Sequence, residues 1–172
     1  TEAEKASLRA KDLTQQLLTF STGGTPIKET TSIPELLKDT AEFVLAGSNV
    51  KCEFSIPDDL WTVEIDKGQI SQVINNLIIN ADQSMPKGGI IQIRAENVNI
   101  SAEDNLPLKD GKYVKISIED HGTGISKEHL PKIFDPYWTT KGLSSQKGTG
   151  LGLAIAHSIV KNHDGHITVK SV

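Results

Sequence analysis

Five amide side chains lie at helical spacing along one stretch of this chain: Gln69, Gln72, Asn76, Asn80 and Gln83. Steps of three and four residues put them on one face of a helix. Ile70, Val73, Ile74, Leu77, Ile78, Ala81 and Met85 fill the opposite side as core. The stripe carries no charge, although lysine and glutamate form helices better than asparagine does. Neutral carbonyl oxygens suit a hard cation such as Mg²⁺, which keeps most of its waters and takes one or two protein ligands beside phosphate oxygens. Taken alone, a solvated amide-rich face explains the pattern equally well.

A second concentration of chemistry lies downstream, where six of the 14 glycines fall between Gly122 and Gly152. Asp120-His121-Gly122-Thr123-Gly124-Ile125 follows a strand-like run. A carboxylate only accepts hydrogen bonds, so Asp120 is suited to an exocyclic amino group such as that of adenine. The alternate glycines let backbone approach a flat ligand, or simply make a tight turn. Gly148-Thr149-Gly150-Leu151-Gly152-Leu153 then opens a helix whose free N–H groups can bind phosphate. Neither cluster has the Gly-x-Gly-x-x-Gly spacing of dinucleotide loops. The phosphate loop of common NTPases also fails, because Lys147 precedes its glycine. Between the clusters, Ile133-Phe134-Asp135-Pro136-Tyr137-Trp138 supplies aromatic anchors, followed by small polar residues as in a hinged lid. A long surface loop with a small hydrophobic cluster is the alternative.

The elements that must position these residues are legible in outline. A narrow apolar seam, Ala3, Ala6, Ala10, Leu13, Leu17 and Phe20, predicts a helix packed on another helix, ended at Ser21–Pro26. Ile27–Thr31 is β-like, and Ser32 with Pro34 starts a helix through Leu45. Val50–Ile56 and Trp61–Ile65 are expected to pair around Pro57-Asp58-Asp59. Lys67–Met85 is a long helix, and Ile90–Val98 and Tyr113–Glu119 alternate as half-buried strands. A helix over about 150–162 and a strand over His166–Val172 complete the set. Strands in one sheet with helices on one face predict an α+β two-layer domain.

Composition narrows the function. The 172 residues carry 18 basic and 22 acidic side chains, a net charge of −4, and the basic residues do not cluster. Nothing therefore points to nucleic acid or a polybasic membrane surface. One cysteine, Cys52, excludes a disulfide scaffold and a thiolate-rich zinc site and fits a reducing compartment. All five histidines lie at or after His121. His157, His163 and His166 lack the i, i+4 pair of helical zinc sites and read as a solvated helix end.

In combination, these segments resemble the ATP-binding catalytic domain of two-component sensor histidine kinases, within the GHKL superfamily. Gln72–Ala81 is similar to that family's N box, and Asp120–Ile125 to its first glycine box. Ile133–Lys141 is similar to its F box, and Gly148–Leu153 to its second glycine box. Arg9–Phe20 looks like the second helix of a dimerisation and phosphotransfer hairpin. The resemblance implies the Bergerat α/β sandwich: a mixed, mostly antiparallel sheet, helices on one face and a helix in front. Residues 1–25 are then the end of the hairpin and 26–172 the catalytic domain. Mg²⁺ and ATP are the implied ligands.

The resemblance assigns roles by position. Asn80 is the implied Mg²⁺ ligand, with Asn76 beside it on the pocket wall. Asp120 accepts from adenine, and Gly122 and Gly124 allow close approach. Gly148, Gly150 and Gly152 shape a hinge and the phosphate-facing helix start, while Thr139, Thr140 and Lys141 lie in the lid. Gln83, Ile125, Phe134, Thr149 and Leu151 complete the ATP contacts. Relatives often carry a basic phosphate-binding residue at the position of Gln83, which here is an amide. The implied reaction is transfer of the γ-phosphate to a histidine on an upstream dimerisation helix of the same chain or its mate. A response-regulator receiver domain would take it next, in a homodimeric, cytoplasmic or membrane-anchored parent. No histidine precedes His121, so residues 1–120 hold no acceptor, and the chain reads as a fragment cut at both ends. Hydrolytic relatives carry a water-activating glutamate four residues before the metal asparagine; here that residue is Asn76, which cannot take a proton. A non-catalytic ATP-binding signalling module is the other alternative.

Overall fold

The computed structural model describes residues 25–139 and 150–171. The expected N-terminal helix, and the Thr140, Lys141, Gly148 and Thr149 assignments, lie outside the described residues.

Helix α1 (Ile33–Val44) starts as its sequence predicts, with Ser32 extended at the N-cap and proline in the first turn, where a missing N–H costs nothing. Helix α2 (Lys67–Ser84) carries the amide stripe. Its N-cap, Asp66, accepts the Gln69 N–H through Oδ1 at 3.0 Å. Oδ2 of the same carboxylate accepts the Ile27 N–H at 3.1 Å, tying the entering chain to the helix. Helix α3 (Gly152–Asn162) lies against α2.

The strands fall into two ladders among the described residues, not one. β1 (Glu29–Thr31) pairs antiparallel with β3 (Val63–Ile65). β4 (Gly89–Ile100) is central in the larger ladder, parallel to β2 (Val50–Ser55) and antiparallel to β5 (Gly111–Glu119). Ile91, Ile93 and Ala95 of β4 point into the core with Leu37 of α1 and Ile78 of α2, each almost wholly buried. Full burial of each large aliphatic side chain stabilises the fold by roughly 1.5–3 kcal/mol. The other face of the ladder is wet: Lys115 pairs with Glu96 at 2.7 Å, and Arg94 lies 3.5 Å from Glu119. Among the described residues helices therefore cover one face, the α+β two-layer arrangement of the Bergerat fold.

A second apolar cluster joins α2 to α3. It comprises Val73, Leu151, Ile155, Ala156 and Ile159. His163 clamps the far end of this pair. Its Nε2 accepts the Asp66 N–H at 3.0 Å, and Nδ1 lies 2.8 Å from the Ile159 carbonyl. With Nε2 accepting, Nδ1 is the ring nitrogen placed to donate to the Ile159 carbonyl.

Two expectations are corrected. β2 and β3 do not form a hairpin. The connection turns at Pro57–Leu60, closed by the Leu60 N–H to the Pro57 carbonyl at 3.3 Å, and neither Asp58 nor Asp59 at its centre has the positive φ of the primed turns that match hairpin strands. Asn97 of β4 takes the connection instead, accepting the Trp61 N–H at 2.9 Å and donating to the Asp59 carbonyl at 3.0 Å. β3 is thereby sent to β1, and β4 takes the edge of β2. Residues 166–171 join no ladder among the described residues. Their alternation marks an extended, partly exposed run held by a side chain: the Ile125 N–H donates to Ser171 Oγ at 2.8 Å.

Candidate functional site

Helix α2 organises the site. Asn76, Asn80 and Ser84 follow one another at four-residue steps, so they lie along one face, about 6 Å apart per step. At the first, Asn76 Nδ2 donates to the Gly152 carbonyl at 3.1 Å, where α3 begins. At the last, Ser84 Oγ lies 2.7 Å from Asp120 Oδ1. Asn80 sits between, half-buried. The segments resembling the N box and the first glycine box, and Gly152 of the second, are thus brought onto one helix face.

The Asp120 end is a compact hydrogen-bonded corner. The carboxylate follows β5 and is exposed, and its Oδ1 also accepts the Gly122 N–H at 2.9 Å. Ser84 Oγ reaches the Ala81 carbonyl at 2.7 Å as well, and the Ser84 carbonyl accepts the Thr123 N–H at 3.3 Å. A Cβ at Gly122 would lie 2.0 Å from Ser84 Oγ. Gly122 therefore allows close approach of the loop to the helix end. Gly124 has φ +68°, a conformation glycine adopts without strain. The Ile125 N–H is spent on Ser171.

The α3 end is built from packing and strained backbone. Leu151 is 1% exposed and caps the helix, and Gly152 begins it. The Tyr137 N–H donates to the Gly150 carbonyl at 2.9 Å. The chain thus leaves at Tyr137 and returns at Gly150 within one hydrogen bond, pinning both ends of the expected lid. Gly150 has φ +68°, and a Cβ there would meet the Tyr137 carbonyl carbon at 2.5 Å, so only glycine fits. Tyr137 itself has φ +65°, an unusual conformation for a bulky residue and the kind of strain that concentrates at functional sites. The lid root is packed as expected. Ile133 is buried, Phe134 stacks on His157 with ring centroids 5.0 Å apart, and Trp138 meets His129 edge-on at 5.2 Å. Thr139 is half-buried beyond it, and Gln83 lies half-buried one residue before Ser84.

The histidines are used differently from their expected role as a solvated helix end. His163 is the clamp described above, and His157 is a stacking partner whose pKa is pushed below its ordinary value of 6.5, first by burial, then by Lys161 and His166. Only His166 of the three is exposed, as is His121 in the glycine box. Ser84 went unmarked in the sequence, whereas Tyr137 was read only as an aromatic anchor and His157 only as part of a solvated helix end. The continued spacing from Asn76 through Asn80 to Ser84 was the signal for the first.

The donor set fits Mg²⁺ held mainly by a nucleotide. Among the described residues no three histidine, cysteine or carboxylate side chains gather into a metal cage. One amide oxygen from Asn80 matches an ion that takes few protein ligands beside phosphate. Burial pushes the Cys52 thiol up, away from a nucleophilic thiolate. No helix among the described residues is long and apolar enough to cross a membrane.

A sheet covered on one face, an amide-lined helix and a loop pinned at a helix start define a nucleotide-binding α+β domain. The family model described as histidine kinase-, DNA gyrase B- and HSP90-like ATPase matches residues 65–172, and the chain belongs to that family. It is 38% identical over 164 residues to sensor kinase CckA of Brucella abortus (strain 2308), covering 92% of this chain and 17% of that protein. It is 35% identical over 140 residues to sensor histidine kinase ZraS of Escherichia coli O157:H7, covering 80% of this chain and 27% of ZraS. The chain thus spans less than a third of either relative. Among solved structures, the catalytic domain of histidine kinase ThkA superposes with a TM-score of 0.61 at 29% identity, covering 79% of this chain and 81% of that one. Mycobacterial sensor histidine kinase MprB reaches 0.64 at 22% identity, with 80% of each chain covered, a likeness of fold.

Proposed function

We propose that the chain binds Mg²⁺-ATP and delivers its γ-phosphate to a histidine on a dimerisation helix, from which a response-regulator aspartate receives it. The observation that carries this reading is the order along α2. Asp120 meets the C-terminal end, Asn80 the middle and the start of α3 the Asn76 step. A nucleotide has the same order: base, metal-bound phosphates, terminal phosphate. Asp120 accepts from the adenine amino group, Asn80 offers its amide oxygen to the metal, and the free N–H groups of α3 face the phosphates. Mg²⁺ would neutralise charge on the transferring phosphoryl group. Phosphoryl transfer then depends on positioning, with no nucleophile required from this domain.

Asn76 favours transfer over hydrolysis. An amide cannot take a proton from water, and its Nδ2 is committed to Gly152. The names of the relatives support a sensor kinase. Residues 1–25 are assigned to the end of the dimerisation hairpin, and 26–172 to the catalytic domain.

The test mixes this chain, γ-labelled ATP and a hairpin bearing the acceptor histidine. Acid-labile label on the hairpin is expected. ATP binding without label transfer would favour a non-catalytic signalling module.

A further inference from the structure

The residue that joins α2 to the first glycine box is Ser84, and its surroundings give it a more specific task than ending a helix. Oδ1 of Asp120 receives two donors, the Ser84 hydroxyl at 2.7 Å and the Gly122 amide at 2.9 Å. The Ser84 hydroxyl has one proton, shared between Asp120 and the Ala81 carbonyl 2.7 Å away. The glycine loop is pressed onto this hydroxyl, since any Cβ at Gly122 would overlap it. The backbone contact from Thr123 to the Ser84 carbonyl holds the loop independently of the hydroxyl. The side chain of Ser84 therefore sets the orientation of one carboxylate, beyond fastening two segments.

We infer that Ser84 is a positioning residue for base selection: by fixing Oδ1, it presents Asp120 Oδ2 as the acceptor for a purine 6-amino group. This rests on the reading of Asp120 as the adenine acceptor. A carboxylate locked in this orientation attracts an amino group at position 6 and repels a carbonyl there. One released from the hydroxyl turns more freely, and the distinction shrinks.

The experiment measures affinities of this chain for ATP and for inosine triphosphate, which carries a carbonyl at position 6, in Ser84→Ala, Asp120→Ala and the double variant. Urea unfolding is followed in parallel. Alanine removes the donor without adding an atom near Gly122 and keeps the Thr123 contact. Ser84→Ala is expected to weaken ATP about three- to tenfold, the range for one net hydrogen bond. Inosine triphosphate affinity should change less than about twofold, so the ratio between the two nucleotides falls. Adding Ser84→Ala to Asp120→Ala should then change neither affinity further. Equal losses for both nucleotides, or an unchanged ratio while Asp120→Ala lowers it, would overturn the role of Ser84 and leave Asp120 in place. An unchanged ratio in Asp120→Ala would overturn the adenine assignment, and this inference with it.

Discussion

The two ends of the α2 face are built by different physics. At the Asp120 end, a hydroxyl, a carboxylate and four backbone groups form directional bonds, and the segment following β5 supplies the partner. At the α3 end, one amide bond from Asn76 is set in an apolar cluster around Leu151, Ile155 and Ile159, beside backbone that only glycine can adopt at Gly150. Directional bonds select a chemical group. Packing sets the position of a helix start, which is what a phosphate chain requires.

If that contrast holds, damage to packing should cost most and should cost fold. Leu151→Ala removes a 1%-exposed side chain and is expected to destabilise by about 2–5 kcal/mol, read from urea unfolding. A loss below the range would show that the α2–α3 contact does not depend on it. Asp120→Ala should leave unfolding nearly unchanged yet weaken ATP by roughly 1.5–3 kcal/mol in titration calorimetry, as for a hydrogen bond to a charged group. Unchanged affinity would remove the base-recognition end of the comparison. Asn76→Ala tests the other end. It should weaken ATP by about 0.5–1.5 kcal/mol and spare adenosine, which has no phosphates. Equal loss for both ligands would mean that Asn76 does not serve the phosphate end.

The smallest effect concerns pH. The lowered pKa of His157 means the folded state favours the neutral ring. Between that lowered value and the ordinary 6.5, the unfolded chain binds more protons than the folded one. This contribution is complete above about 6.5 and is lost as pH falls through the window. His157→Phe retains a ring against Phe134 without the titration. The urea midpoint of the wild-type protein should therefore fall relative to that of His157→Phe on acidification, and parallel curves would contradict the sign.

Much of this was legible beforehand, for identifiable reasons. α2 was legible because seven apolar positions and five amides keep two faces apart over its whole length, and Pro86 marks its stop. The false hairpin arose because strand propensity says nothing about which edge is free. The decision rests with Asn97, almost forty residues away in sequence, holding the Asp59–Trp61 loop. His166–Val172 alternates like a strand, but alternation records half-burial and not pairing. Within the site, Asp120 and the glycines were visible through residue type. Ser84 was not, because a serine at a helix end is common and its meaning comes only from the carboxylate brought beside it. Likewise, Gly122 signalled close approach by residue type alone, and its contact with Ser84 is visible only in the fold.

The central claim is the order of ligand groups along α2, and Mn²⁺-ATP tests it most directly, since Mn²⁺ takes similar oxygen ligands and broadens nearby resonances. In spectra of the labelled protein, broadening should be strongest at the Asn80 side-chain amide, weaker at Asn76, and weaker again at Ser84 and Thr123. Replacing Asn80 with alanine should remove the Mg²⁺ dependence of ATP affinity in the same samples. Broadening centred on the Asp120 corner, or of equal strength at Asn76, Asn80 and Ser84, would contradict the account.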